Sequence, residues 1–191
     1  MPDKSDSSTL SSALQQIAVA FRLAGWASFW IQLVLGVVST LVLLTASFSR
    51  DVSTGNSLGT GFGIVLAVSG VVTLGLGVYL AFRYTRIAKR LQSSNANQRP
   101  RKADTIQILR LGLIVNLVGM LLTVVGAQAI VGILLIRSLS LPQGLGAAIY
   151  NNNQVIRPLD IFVVQANTNT VGAHFAGLVA SLFLLNRVNR Q

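Results

Sequence analysis

The stretch LGLIVNLVGMLLTVVGAQAIVGILLI, residues 111–136, runs for 26 uncharged residues between Arg110 and Arg137. A helix rises 1.5 Å per residue, so this one would be about 39 Å long. The hydrocarbon core of a bilayer is about 30 Å thick. The stretch therefore predicts a membrane-spanning helix that is tilted or that ends outside the hydrocarbon.

Composition also places the chain in the membrane class. Of the 191 residues, 52% are hydrophobic and only 10% are charged, whereas about a quarter of a soluble domain is charged. The chain has no Cys and no Glu, which excludes disulfides and thiolate metal sites. It carries no Ser-His-Asp arrangement, no HExxH motif and no glycine loop in the context that phosphate binding requires. We therefore expect neither an enzyme nor a bound cofactor.

Four apolar segments have the length of a membrane span. We predict an all-α fold, a polytopic four-helix bundle, with one transmembrane domain over residues 26–185. A disordered tail (1–8) and a C-terminal tail (186–191) flank it. The predicted spans are about 26–48, 61–82, 111–136 and 161–185.

Residues 9–25 place Leu10, Leu14, Ile17 and Phe21 at helical spacing, with polar residues on the other faces. This pattern predicts an amphipathic helix lying at the membrane interface before the first span. The alternative is that the segment extends the first span toward the N-terminus.

A basic loop, residues 83–110, holds eight of the fifteen Lys and Arg residues. The positive-inside rule then places this loop and both termini on the cytoplasmic side. Such a cluster beside a membrane also contacts anionic lipid; the alternative is an acidic partner, and we expect no nucleic acid. The predicted lipid contacts are Arg83, Arg86, Lys89, Arg90, Arg99, Arg101 and Lys102.

Small residues recur along the spans, and helices in membranes associate through such close-packing positions. The pattern predicts a compact left-handed bundle. The glycines, seven residues apart in the second and third spans, are Gly63, Gly70, Gly77, Gly112, Gly119 and Gly126. Interhelical hydrogen bonds or a pathway are the two interpretations of the polar residues Gln32, Asn116, Thr123 and Gln128.

The fourth span has the most polar residues, and a helical projection sorts them onto two faces. One stripe holds Asp160, Asn167, Thr170, His174 and Ser181; the roughly opposite face holds Gln165 and Asn169. Polar groups are costly in hydrocarbon. We therefore expect one face to pack on the bundle and the other on a neighbouring subunit or a wet cavity, which favours a homo-oligomer.

His174 is the only His in the chain and the only residue of this stripe that titrates near neutrality. It is either a proton relay or metal ligand, or a neutral ring bonded to Asn116, Gln128 or a carbonyl. Metal sites need several ligands, so a metal path would require several copies of His174, or amide and carbonyl oxygens. Asp160 is predicted as an N-cap or as the partner of Arg157.

The segment RPLDIFVVQANTNTVGAHFAGLVASLFLLNR, residues 157–187, resembles a four-span membrane family of cyanobacteria and plastids. The resemblance is strongest in VVQANTNTVGAHF and LLNR. It extends to FRLAGWASFWIQLVLGVVS (21–39) and RYTRIAKRL (83–91). The family includes the chloroplast inner-envelope Tic import component of about 21 kDa, also described as the iron permease "permease in chloroplasts".

The resemblance implies an integral membrane protein related to transport. One hypothesis is an oligomeric transporter or channel subunit for iron or another metal ion. The alternative is a non-transporting scaffold, or a factor for the import or assembly of other membrane proteins. The N-terminus does not resemble a transit peptide, so we expect a cyanobacterial member in the plasma or thylakoid membrane.

Overall fold

The computed structural model describes residues 4–51, 58–93, 99–140 and 158–190. These residues form four helices and no strand, which confirms the all-α fold class. Each helix is long and apolar enough to cross a membrane. Their bounds are α1 (Lys4–Asp51), α2 (Leu58–Leu91), α3 (Lys102–Ser140) and α4 (Pro158–Asn189).

The helix ends follow local chemistry. Pro158 opens α4, where its missing N–H costs no hydrogen bond, and Pro100 lies just before the start of α3. Lys89 and Arg90 lie in the last turn of α2, where positive charge complements the helix dipole. Residues 83–91 of the predicted basic loop belong to α2 and residues 102–110 belong to α3, so most of that loop is helical.

Neighbours in sequence pack side by side, and α4 closes the ring against α1, with further contacts to α2 across the centre. The outer surface is strongly apolar; Trp30, Val34 and Leu121 are among the large side chains that are more than half exposed. A surface of this kind is stable in lipid, where helices satisfy their own backbone groups.

The N-terminal segment continues the first span, which was one of the two alternatives for residues 9–25, and the predicted tail is shorter than residues 1–8. Residues 9–25 belong to the continuous helix α1, which begins at Lys4, so residues 4–8 are helical and only 1–3 lie outside the described ranges. Phe21 is fully buried and packs in a cluster with Tyr84 and Leu184. Ile17 and Phe21 of the apolar stripe are thus covered by protein, mainly by residues near the ends of α2 and α4.

Aromatic residues mark the level of one membrane boundary. Trp26 stacks on Trp30 with ring centroids 6.1 Å apart, and Phe29 lies 6.0 Å from the ring of Phe82. The guanidinium of Arg86 lies 4.8 Å from the centre of the Phe82 ring. Such amphipathic and aromatic belts form at lipid headgroups, so the basic ends of the helices project past this level.

The six glycines predicted to pack are all buried at helix–helix contacts. A methyl group built on Gly126 would lie 3.1 Å from the carbonyl oxygen of Gly63, and one on Gly63 would lie 3.3 Å from that of Gly126. The α2 and α3 backbones therefore touch directly, as small-residue packing requires. The hand of the bundle stays a prediction.

Candidate functional site

The inward stripe of α4 forms what we call the polar column: Asp160, Asn167, Thr170, His174 and Ser181. Four of these side chains are at most 1% exposed, and Asp160 is 8% exposed. From the first to the last is 21 residues, or about 31 Å along the helix axis. A polar column about as long as the hydrocarbon is thick therefore lies inside the bundle.

His174 is held by two other helices. Its Nε2 lies 3.1 Å from the carbonyl oxygen of Gly70 on α2, and its Nδ1 lies 3.2 Å from Oδ1 of Asn116 on α3. The partners are the predicted Asn116 and a carbonyl, whereas Gln128 is exposed on the outer surface and takes no part. The ring thus ties α4 to α2 and α3.

Asn116 and Gln32 complete the imidazole–amide cluster, as we name His174 with these two residues. Nε2 of Gln32 on α1 donates to Oδ1 of Asn116 at 3.0 Å, and Nδ2 of Asn116 donates to the Gly112 carbonyl at 2.8 Å. All four helices therefore meet at this cluster. Gln32 lies about 9 Å along α1 from Trp26, which it follows by six residues.

Glycines make the space for this cluster. A methyl group at Gly119 would overlap the His174 ring, and one at Gly177 would overlap the amides of Gln32 and Asn116. Gly177 was not singled out from the sequence, although it follows Thr170 by seven residues and therefore lies on the same stripe. The seven-residue spacing was the signal that could have identified it.

Tyr84 is the second residue that sequence reasoning missed. Its hydroxyl lies 3.0 Å from Oγ of Ser181, which itself donates to the Gly177 carbonyl. Tyr84 lies in the basic segment RYTRIAKR, which was interpreted from its charge alone. Its side chain is 2% exposed and closes one end of the column. Methyl groups are excluded here too, because one at Gly112 would overlap the Tyr84 hydroxyl.

Toward its other end the column is less completely bonded. Ser39 donates to the Ala166 carbonyl at 2.8 Å, Thr170 to the same carbonyl at 2.9 Å, and Thr123 to that of Gly119 at 2.8 Å. Both amide atoms of Asn167 are buried without a hydrogen-bond partner among the described residues. Unsatisfied buried amides are costly, and Asn167 is the least completely bonded residue of the column.

Asp160 lies in the first turn of α4, two residues inside the helix, and not at the N-cap position where it was predicted. The helix begins two residues earlier because Pro158 fits its first position. Arg157, the alternative partner, lies outside the described residues. A carboxylate in the first turn is still stabilised by the helix dipole.

The opposite face of α4, which we call the outer face, consists of Gln165 and Asn169. Gln165 is exposed and Asn169 half-buried, and Nε2 of Gln165 donates to Oδ1 of Asn169 at 3.1 Å. These amides satisfy each other in part and point away from the bundle. The described part of this chain does not bury them.

Metal ligation is not the role that this geometry favours for His174. Both ring nitrogens face protein oxygens, and the ring is fully buried within its own bundle. Several copies of His174 therefore cannot meet at a subunit axis. Across the described ranges, no group of three His, Cys, Asp or Glu residues could hold a metal ion.

The predicted lipid-contacting side chains are all exposed. They follow the aromatic level on α2 or lie at the α2–α3 connection and the start of α3. The residues are Arg83, Arg86, Lys89, Arg90, Arg99, Arg101 and Lys102.

Comparison with known proteins locates the chain in a family. It is 33% identical over 189 residues to the protein TIC 21, chloroplastic, of Arabidopsis thaliana. The alignment covers 97% of this chain but only 62% of that relative's length. No solved structure matches. The model of a family described as a protein of unknown function, DUF3611, matches residues 11–189. With its four apolar helices this is an integral membrane protein, and the chain belongs to the DUF3611 family.

Proposed function

We propose that this membrane protein is a transporter or channel subunit, and that its substrate is iron or another metal ion. The observation that carries the proposal is the polar column, which has the length of the hydrocarbon core and is enclosed by apolar helices. Ionisable residues inside a membrane, here His174 and Asp160, are by default candidates for ion and proton pathways. The resemblance to the plastid family described as an iron permease supports the choice of substrate.

The path for a metal ion would use oxygen atoms. Asn167 offers a buried amide oxygen without a partner, and Asp160 lies at the end of the column. Hard cations prefer carboxylate, amide and carbonyl oxygens. The column is closed in this structure, so conduction requires α4 to move relative to the helices around it.

We infer that the subunit works as a homo-oligomer. Gln165 lies about 10 Å along α4 from its first residue, and its side chain is exposed there. An amide at that depth is more stable against a neighbouring helix than against lipid. A second copy of α4 presents the same amides, which can pair across a two-fold axis.

The test is ion flux into liposomes that contain the purified protein and an internal Fe²⁺ indicator. We expect flux above that of empty vesicles, and a strong reduction in Asn167→Leu, which removes the free amide and keeps the number of side-chain heavy atoms. Gln128→Leu is the matched control, since it removes an exposed amide. Well-folded protein that passes no metal ion contradicts the proposal.

The second candidate is a scaffold that helps to import or assemble other membrane proteins. The outer face favours it, because exposed amides also fit a helix of a different protein. The chain has no Cys, so Gln165→Cys introduces a unique crosslinking position. Crosslinking in native membranes to a second copy supports the oligomeric transporter, whereas crosslinking to a different membrane protein supports the scaffold.

The proposed orientation in the membrane rests on where the basic residues lie along the chain. Both termini and the α2–α3 connection would face the cytoplasm of a cyanobacterial cell, from the plasma or thylakoid membrane. In Arg99→Cys, a membrane-impermeant thiol reagent should label the protein in open membrane sheets but not from outside intact cells. Labelling from outside intact cells would reverse the assignment.

A further inference from the structure

The imidazole–amide cluster has an imbalance of donors and acceptors. Oδ1 of Asn116 accepts from Gln32 while Nδ2 of the same amide donates to the Gly112 carbonyl. Nδ1 of His174 therefore faces an acceptor at 3.2 Å, and Nε2 faces the Gly70 carbonyl, also an acceptor, at 3.1 Å. A neutral imidazole has only one N–H, so it cannot donate to both oxygens.

Each neutral arrangement leaves two acceptors in contact. With the proton on Nε2, the bare Nδ1 faces Asn116 Oδ1; with the proton on Nδ1, the bare Nε2 faces the Gly70 carbonyl. Rotating the amides of Asn116 and Gln32 by 180° repairs the Nδ1 contact. It then places Asn116 Oδ1 where Nδ2 was, 2.8 Å from the Gly112 carbonyl oxygen.

Only the imidazolium satisfies every contact of the cluster. With both nitrogens protonated, His174 donates to Gly70 and Asn116, and no amide has to rotate. Hydrogen bonds from a charged donor are also stronger than neutral ones. The opposing term is the loss of water around a charge that is fully buried.

The cluster contains no other charge to decide the balance. The groups that hydrogen-bond to the ring and its two amides come from all four helices, and among the described residues they are amides and backbone carbonyls; the Gly70 carbonyl also accepts from the neutral hydroxyl of Thr73 at 2.7 Å. The titratable groups elsewhere in the column are Tyr84, bonded to Ser181 about 10 Å along α4, and Asp160, about 21 Å away. The charge state of His174 thus depends on two opposing effects. The acceptor oxygens stabilise the imidazolium, whereas loss of water on burial destabilises it.

We propose that His174 is a reversible proton-binding site, and that the amides of Asn116 and Gln32 rotate when the proton leaves. Gln32 lines a groove of about 290 Å³ between α1 and α2, and its Oε1 has no partner among the described residues. The rotated Gln32 amide presents that oxygen to Nδ2 of Asn116. Proton release therefore exchanges hydrogen bonds among three helices.

This inference deepens the proposed function, on which it rests for its physiological meaning, since it names the proton as a species linked to transport. The site itself does not depend on transport. Proton loss at His174 changes the bonds that join α4 to α3 and α3 to α1, and α4 is the helix that has to move for conduction.

The experiment uses ¹⁵N-histidine NMR of the full chain in lipid nanodiscs, purified with an affinity tag that contains no histidine. Because the chain has one His, every histidine signal belongs to His174, and ring ¹⁵N shifts separate the imidazolium from each neutral tautomer. We expect the imidazolium at about pH 5 and a neutral ring at about pH 9, around the range in which His usually titrates. One unchanging form over that range, charged or neutral, overturns the proposal.

Variants of Asn116 test the mechanism. Asn116→Leu removes the acceptor that requires the second N–H, so the titration midpoint should fall by about one pH unit, or about tenfold weaker proton binding. Asn116→Asp keeps the shape and places a carboxylate beside Nδ1, so the midpoint should rise by at least as much. Gln128→Leu, on the outer surface of the same helix, should leave it unchanged.

Either variant with an unaltered midpoint contradicts the role of Asn116, and Asn116→Asp gives a result if the Leu variant does not fold. The two proposals fail separately. If His174 titrates but the protein passes no metal ion, the transporter proposal is contradicted. If the protein passes metal ions but His174 does not change its charge state, the proton-site proposal is contradicted.

Discussion

The two polar faces of α4 contain the same kinds of side chain in opposite surroundings. Asn167 is 1% exposed within the column, while Asn169, two residues later, is half-buried on the outer face beside exposed Gln165. The inner amides meet helices whose glycines let the backbones approach, whereas the outer amides are covered only in part by the described chain. Whether a polar residue in a span becomes core or surface is therefore decided by the helix opposite it.

The largest expected effect comes from filling the inner face. Gly119→Leu places a side chain where the His174 ring and Thr73 lie, so we expect unfolding to become easier by about 3 kcal/mol, at the upper end of overpacking costs. The measurement is an unfolding titration in mixed micelles with SDS. Gly132→Leu is the control on the same helix, because a methyl group there meets nothing within 4 Å. Equal stability of both variants would show that the inner face is not close-packed.

Removing the ring is the next test. His174→Ala deletes the contacts to Gly70 and Asn116. Interhelical hydrogen bonds in membranes average about 0.6 kcal/mol each, so the expected loss of unfolding free energy is about 1–2 kcal/mol. Phe175→Ala, a neighbouring and larger truncation, should cost less, since Phe175 is 58% exposed. A larger loss of unfolding free energy in Phe175→Ala than in His174→Ala would contradict the difference between the two faces.

A pair of tyrosines sharpens the comparison on α2. Tyr84→Phe removes the hydroxyl that bonds to Ser181, and we expect a loss of about 0.6 kcal/mol in the same unfolding titration. Tyr79→Phe should cost nothing measurable, because Tyr79 is 58% exposed. A similar loss in both would assign the effect of Tyr84 to something other than its place in the column.

The smallest effect belongs to the outer face. In the double variant Gln165→Leu/Asn169→Leu, the unfolding free energy of the isolated subunit should stay within about 0.5 kcal/mol, as for surface changes generally. The pair gives up only a mutual hydrogen bond. A large loss under conditions where the protein is monomeric would mean that these amides support the bundle itself.

The fold was predictable because its determinants repeat. Charge-free segments of span length marked all four helices, and the seven-residue period of Gly63, Gly70 and Gly77 marked a face that is buried. The role of residues 9–25 was not predictable, because an amphipathic stripe such as that of Phe21 fits a membrane surface and a protein surface equally well. Only the lengths of α2 and α4 beyond the membrane decide between them.

The sequence predicted which residues of α4 share a polar face, but not which residues of the other helices contact that face. The stripe of His174 and Ser181 follows from a helical projection, but the rotation of α3 decides that Asn116 turns inward and Gln128 outward, twelve residues apart. Tyr84 could not be assigned, because an aromatic residue within a basic segment is typical of the membrane boundary. Its bond to Ser181 depends on how far α2 continues as a helix.

The modest hydropathy of α4, lowest among the four spans, bears on how the protein is made. α4 leaves the ribosome last, after α1–α3 have been synthesised. Its buried amides and imidazole oppose partition of the isolated segment into lipid. The earlier helices already carry the matching groups, Gln32, Asn116 and the Gly70 carbonyl. The insertion of α4 is therefore best described as docking into a prepared protein groove, and its efficiency depends on residues synthesised long before α4.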